Sequence, residues 1–138
     1  MNETGRLRWF WAVLFLGALY FVTGIVFAAL AKSAVSHEMV VAWRLAAWVI
    51  SAVGFAAHIR YEHVLLRSSP RTTALHAALA VGLGAFALAV SASLNARATQ
   101  HHFPGIALVI WPVLTALPAF VVALAVAALL TRARRNIQ

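Results

Sequence analysis

The fold is decided first by the segment from Trp9 to Ala31, WFWAVLFLGALYFVTGIVFAALA, which contains no charged residue. A run of ~20 apolar residues is long enough for an α-helix to cross ~30 Å of hydrocarbon. The apolar residues surround such a helix instead of forming one stripe, which is typical of a helix solvated by lipid or by other helices. Three similar runs follow it: Met39–Ile59, Ala74–Leu94 and Ile106–Leu130.

The composition leads to the same fold class. Of the 138 residues, 64% are hydrophobic and 10% are charged, and the mean hydropathy is +0.90. A soluble domain is nearer half apolar and a quarter charged. We therefore predict an all-α integral membrane bundle of four transmembrane helices with short loops, forming a single domain over residues 1–138. The helices are expected at about residues 9–31, 39–67, 74–95 and 105–131, and the membrane part of the second ends near residue 59.

The basic residues predict the orientation of this bundle. With four crossings, the two termini and the second loop share one side, and the first and third loops share the other. The first side carries Arg6, Arg8, Arg60, Arg67, Arg71, Arg132, Arg134 and Arg135, and the other carries Lys32, Arg44 and Arg97. Because basic residues concentrate in cytoplasmic loops, both termini are predicted to be cytoplasmic. A bacterial-type cytoplasmic membrane is the expected location.

The first run has two interpretations. Arg6 and Arg8 before it, and Ala29-Leu30-Ala31 at its end, resemble a signal peptide with its cleavage site. Its apolar stretch is longer than the usual ~7–15 residues of such a peptide. We therefore expect a retained helix, in which Gly17 and Gly24 lie on one face and admit a neighbouring helix closely.

The third and fourth runs each have a distinctive pattern. Helix 3 is predicted to be the central helix, because small residues surround it almost completely. Thr72 or Thr73 is the expected N-cap. Helix 4 contains Pro112 and Pro118, which predict a bend that serves either packing or gating.

Several chemistries are excluded by what the sequence lacks. The chain has no cysteine, so disulfides, zinc–thiolate sites and thiol catalysis are absent. Its only acids are Glu3, Glu38 and Glu62, and no nucleophile or zinc-protease motif occurs. No continuous basic stripe with interleaved aromatic residues is present, so nucleic acid is not an expected partner. We therefore expect no catalytic residues.

The six histidines form two groups in the predicted topology. Outside, His37, His101 and His102, with Glu38 nearby, are a possible zinc, copper or nickel site. Inside, His58, His63 and His76 are candidate cofactor ligands, because two histidines at matching depth on adjacent helices are what axial ligation of haem b requires. Solvated histidines outside and phosphate-contacting histidines inside are the simpler interpretations. His58 and Glu62 are also four residues apart, so they can face each other on one side of a helix.

Arg44 is the one cation placed inside a predicted crossing. Its guanidinium either reaches outward to the headgroups along its apolar stem, pairs with Glu38, or binds an anion.

Three functions remain open at this point. The leading expectation is a non-enzymatic membrane protein that acts as a packing partner, an accessory subunit or a homo-oligomer in the lipid bilayer. The first alternative is a haem- or metal-binding membrane subunit. The second is a small anion transporter or channel lined by Arg44 and the prolines of helix 4.

Overall fold

The computed structural model describes residues 3–99 and 105–135, and its regular structure there is entirely helical. The four long helices are each long and apolar enough to cross a membrane, which confirms the predicted number of long apolar helices. A short π-helical segment follows the second helix. The elements are α1 (Glu3–Ser33), α2 (His37–Arg60), the π-segment (Tyr61–Leu65), α3 (Pro70–Ala98) and α4 (Ala107–Arg135).

The beginnings of α2 and α3 are set by serine caps. Ser36 accepts a hydrogen bond from the backbone N–H of Met39, and Ser69 accepts one from that of Thr72. Pro70 follows Ser69 directly, at the helix position where a missing N–H costs nothing. The expectation that Thr72 or Thr73 caps this helix was therefore wrong: α3 begins earlier, because a serine before proline provides both the acceptor and the fixed backbone angle.

The second helix does not continue regularly to residue 67. After Arg60 the backbone widens into the π-segment, and Leu66 N–H bonds to the carbonyl of Tyr61. The chain then turns at Arg67, whose φ of 51° lies in the left-handed region, while Ser68 N–H bonds back to the carbonyl of Glu62. A hydrogen bond between residues six positions apart, with a left-handed residue just before its donor, resembles a Schellman ending in which arginine stands where glycine is usual.

α3 is the central helix, as its small residues predicted. It has the largest buried share of the four, and it packs between α1 and α4. Gly17 and Gly84 allow the closest approach of α1 and α3. A Cβ added at Gly84 would lie 2.7 Å from Cβ of Tyr20 and 2.9 Å from the carbonyl oxygen of Gly17. The predicted packing role of Gly17 and Gly24 is confirmed, since both face leucines of α3.

α2 is the peripheral helix on the other side of α1. It meets α3 and α4 mainly at its C-terminal end, where Ile59 packs with Ala74, Ala77 and Ala123. We call this the closed end of the bundle; it holds the start of α1, the π-segment, the start of α3 and the end of α4. At the opposite, open end, clefts separate α1 from α2 and from α3.

The fourth helix stays helical through Pro112 and Pro118. In its first turns the Thr115 hydroxyl bonds to the carbonyl oxygens of Trp111 and Pro112 at 3.0 Å each.

Candidate functional site

The closed end contains a buried carboxylate. Glu62, on the π-segment, is 0% exposed. Its Oε1 lies 3.1 Å from Nδ1 of His76 on α3, and its Oε2 accepts a hydrogen bond of 3.0 Å from the Ser68 hydroxyl. One proton lies in the hydrogen bond between Oε1 of Glu62 and Nδ1 of His76. Each carboxyl oxygen of Glu62 therefore has one partner, as buried polar groups usually do.

Helix α1 covers this pair with an aromatic ring. The Trp9 indole stacks on the His76 imidazole, with ring centroids 4.6 Å apart and planes inclined by 6°. Trp9 also packs on the cluster of Val13, Leu16 and Ala80 that joins α1 to α3. Stacking fixes the plane of the imidazole and thereby the direction of its bond to Glu62.

Helix α4 reaches the same end through His63. Thr131 Oγ1 lies 3.4 Å from Nε2 of His63 and donates its hydrogen to the carbonyl of Ala127 at 2.9 Å. Because one hydroxyl has one hydrogen, Thr131 accepts from Nε2–H of His63. His58 of α2 is buried at the same end. We call this whole set the Glu62 cluster: Trp9, His58, Glu62, His63, Ser68, Thr73, His76 and Thr131.

Several buried polar atoms of the Glu62 cluster have no hydrogen-bond partner among the described residues. They are Trp9 Nε1, His58 Nε2, His63 Nδ1 and Thr73 Oγ1. Most buried polar groups in proteins are paired, and unpaired ones are costly. The closed end therefore has more hydrogen-bonding capacity than its own contacts use.

The order of groups in the Glu62 cluster argues against nucleophilic catalysis. In a catalytic triad the imidazole lies between the hydroxyl and the carboxylate, so that it can take the hydroxyl proton. Here Glu62 lies between Ser68 and His76, and the Ser68 hydroxyl donates to the carboxylate. His76 is 8% exposed, so a substrate has no direct approach to the pair. This arrangement shares a proton between Glu62 and His76 and ties the π-segment to α3.

The inner histidines proposed as cofactor ligands are brought to one end of the bundle, and haem ligation by two of them stays a prediction. Among the described residues no group of three or more histidine, cysteine or acidic side chains is placed to hold a metal ion. His76 Nδ1 is engaged by Glu62, and His63 Nε2 by Thr131. All three rings are buried, and His58 also lines a groove between α1 and α2.

The outer candidates are described only in part. His37 and Glu38 are exposed in the first turn of α2. His101 and His102 lie outside the described residues, so the predicted outer metal site stays a prediction.

Arg44 is exposed and lines an open-end cleft of about 400 Å³ between α1 and α2, together with Lys32. Among the described residues no ion pair joins it to Glu38. The prolines of α4 do not line this cleft, so the anion path predicted from Arg44 and those prolines is not assembled there.

Sequence reasoning missed the centre of the cluster. It paired Glu62 with His58 on helical spacing, whereas the carboxylate bonds to His76, fourteen residues away. The signal that pointed to a buried acid was the apolar sequence around it, Val64-Leu65-Leu66, on a segment counted as lying at the membrane surface.

Comparison with known proteins adds no relative: no protein-family model, no curated protein and no solved structure matches this chain. The function is therefore argued from geometry alone.

Proposed function

We propose that this chain is a non-enzymatic integral membrane protein that works as a subunit of a membrane assembly, either as a homo-oligomer or as an accessory to another protein. In this proposal it crosses a bacterial-type cytoplasmic membrane four times, with both termini in the cytoplasm. The Glu62 cluster is then an internal tie, and the outer surface of the bundle makes the functional contacts.

The observation that carries the proposal is that the rest of the chain leaves α2 largely exposed. In the most apolar window of this helix no residue is buried inside the chain, whereas 39% of the corresponding window of α3 is buried. Trp48 on this surface is 76% exposed. A helix that belongs to a four-helix bundle normally buries one face in it, so α2 has a face available for another helix.

The sequence of that face supports a protein partner in addition to lipid. Trp48, Ala52 and Ala56 are spaced by four along α2 and all three are exposed. Positions four apart lie on the same face of a helix. Small residues with this spacing let two membrane helices approach closely, which is how such helices gain packing energy in lipid. We call Trp48, Ala52 and Ala56 the α2 row.

The arrangement of the Glu62 cluster supports a structural role. Glu62 is enclosed and bonded to His76, on which Trp9 stacks, and its neighbours are ordered unlike a triad. In the same way, the partly open clefts at the other end bring together cations and small residues without a described acid or histidine among their linings.

The test uses the fact that the chain contains no cysteine. Ala52→Cys and Ala56→Cys would each be oxidised in native membranes and compared with Leu79→Cys, which places the thiol at an exposed position on α3 outside the α2 row. We expect disulfide-linked dimers from the α2 row and none from position 79. A bifunctional thiol–amine cross-linker applied to the same variants would reveal an adduct with a different protein if the chain is an accessory subunit. Monomer alone with both reagents at both row positions would contradict the proposal.

A further inference from the structure

We propose that the groove between α1 and α2 at the closed end binds one acyl chain of an anionic phospholipid, whose headgroup phosphate lies at Arg8. This inference rests on the proposed function, because it requires the chain to lie in a membrane. It adds a specific ligand and a site that the assembly role does not need.

The groove is long and has one polar end. Its volume is about 520 Å³. Most of its lining is apolar, and the polar side chains among the lining residues, Arg8, His58 and Tyr61, belong to the closed end. Since α1 and α2 are antiparallel, the start of α1 and the end of α2 place these three groups together. From there the apolar wall extends along α1 through Phe15 to Leu19.

The length of this wall fits one lipid leaflet. Leu7 and Leu19 are twelve residues apart on a helix that rises ~1.5 Å per residue, which gives roughly 18 Å. Half of a ~30 Å hydrocarbon core is roughly 15 Å. The groove therefore accommodates a chain that begins at the headgroup level and ends near the midplane. At its far end Gly54 lets the two helices close on each other, because a Cβ there would lie 2.9 Å from Cδ2 of Leu19.

The charge of the polar end selects an acidic headgroup. Arg8 is exposed, and no ion pair involving it exists among the described residues. Among the described residues no acid lines the groove, and Glu62, which follows Tyr61 of the groove wall, is fully buried and bonded to His76. Guanidinium binds phosphate oxygens with paired, charge-assisted hydrogen bonds.

His58 is the second observation that points to a ligand. The ring is 5% exposed and belongs to the groove wall, yet its Nε2 has no hydrogen-bond partner among the described residues. A buried polar atom without a partner is unusual in a wall that otherwise serves only packing. The polar end of the groove thus combines a cation and a phenol with a buried imidazole whose Nε2 is unpaired in the described part of the chain, a set suited to a headgroup and not to a second acyl chain.

The experiment is native mass spectrometry of the purified full chain after exchange into mixed micelles with equal amounts of phosphatidylglycerol and phosphatidylcholine. Two variants remove the groove, Ala57→Phe from the α2 wall and Ala12→Phe from the α1 wall. Their control is Ala128→Phe, at an exposed position of α4 near the same end. Arg8→Gln removes the charge, and its control is Arg60→Gln, an exposed arginine of the closed end that does not line the groove.

We expect one retained lipid per chain with about a tenfold preference for phosphatidylglycerol, because the choline cation of phosphatidylcholine offsets the attraction of its phosphate to Arg8. Arg8→Gln should abolish the preference and Arg60→Gln should keep it. Both groove-filling variants should lose the retained lipid, and Ala128→Phe should keep it. Having two filling variants on different helices keeps the test valid if one of them fails to fold.

Two results would overturn the inference: equal retention of both lipids by the unchanged chain, or retention by the filled variants equal to that of Ala128→Phe. An alkaline wash of native membranes separates this failure from failure of the proposed function. If the chain stays in the washed membranes while the lipid preference is absent, only the lipid site is wrong. If the wash releases the chain, membrane insertion itself is wrong.

Discussion

Glu62 is held by two hydrogen bonds in a place where water does not reach it. Removing one partner of a buried hydrogen bond leaves the other polar group unpaired and typically costs about 1–3 kcal/mol, whereas replacing both partners by apolar groups is often close to neutral. The Glu62–His76 pair is therefore expected to specify how the helices meet more than to supply net stability.

This argument predicts a strongly non-additive double-mutant cycle. Glu62→Leu alone should lower the free energy of unfolding by about 1–3 kcal/mol. The double variant Glu62→Leu/His76→Leu should be clearly more stable than the sum of the two single changes requires. The measurement is reversible unfolding in mixed detergent micelles, with Glu38→Leu at an exposed site as a control expected to change stability by less than about 0.5 kcal/mol. Additive losses would mean that the two side chains act independently.

At this scale the sequence revealed the participants but not their partners. The inner histidines were recognised as a group from topology, and they do converge at the closed end together with Glu62. The bond between Glu62 and His76 was not predicted, because helical spacing identifies neighbours on one element, such as His58 and Glu62, and not contacts between elements. Trp9, Ser68 and Thr131 were not included, since only tertiary contacts bring them to the cluster.

Among the elements, α1 and α3 depend on each other through a glycine contact. At Gly84 an added Cβ would meet backbone and Cβ atoms, which cannot move without moving α1. Gly82 lies two residues earlier on the same helix and faces α4. There the atom nearest to an added Cβ is Cβ of Ala116 at 3.4 Å, an ordinary contact. Replacing each glycine by alanine therefore compares a close contact with an ordinary one on the same helix.

We expect Gly84→Ala to lower the free energy of unfolding by about 1–3 kcal/mol through overpacking. Gly82→Ala should be neutral or slightly stabilising, because alanine is the better helix former. Unfolding in mixed micelles compares them directly, and far-ultraviolet circular dichroism checks that helix content is kept. If both glycines tolerated alanine equally, α1 and α3 would not be as close as their backbones indicate.

The existence of the helices was predictable because each apolar run is as long as a membrane span. Their ends were not: α1 begins at Glu3 and α4 continues to Arg135, since hydropathy marks only the apolar part while hydrogen bonding continues into the charged ends. The start of α3 at Pro70 and the π-segment depend on a cap and on tertiary contacts respectively, and neither has a hydropathy signal.

For the whole molecule, the closed and open ends differ in charge as well as in packing. Three of the arginines predicted to be cytoplasmic, Arg60, Arg67 and Arg71, belong to the α2–α3 connection at the closed end, whereas Lys32 and Arg44 line the open-end cleft between α1 and α2. Basic residues near the ends of membrane helices are retained in the cytoplasm during insertion. The closed end, with the Glu62 cluster and the lipid groove, should therefore face the cytoplasm.

A pair of reporter fusions tests this orientation. A reporter that is active only in the cytoplasm should be active when fused after Gln138 and inactive when fused after Val35, which is 96% exposed in the connection between α1 and α2. A reporter active only outside the cytoplasmic membrane should give the opposite pattern at the same two positions. The two fusions control for each other, because each reporter must fail at one site and work at the other. Activity of the external reporter after Gln138 would reverse the orientation, and with it the leaflet from which the groove at Arg8 takes its lipid. If the same reporter were active at both positions, the number of crossings between them would be even and not the predicted three. That result would point to a re-entrant helix in place of one of the four spans.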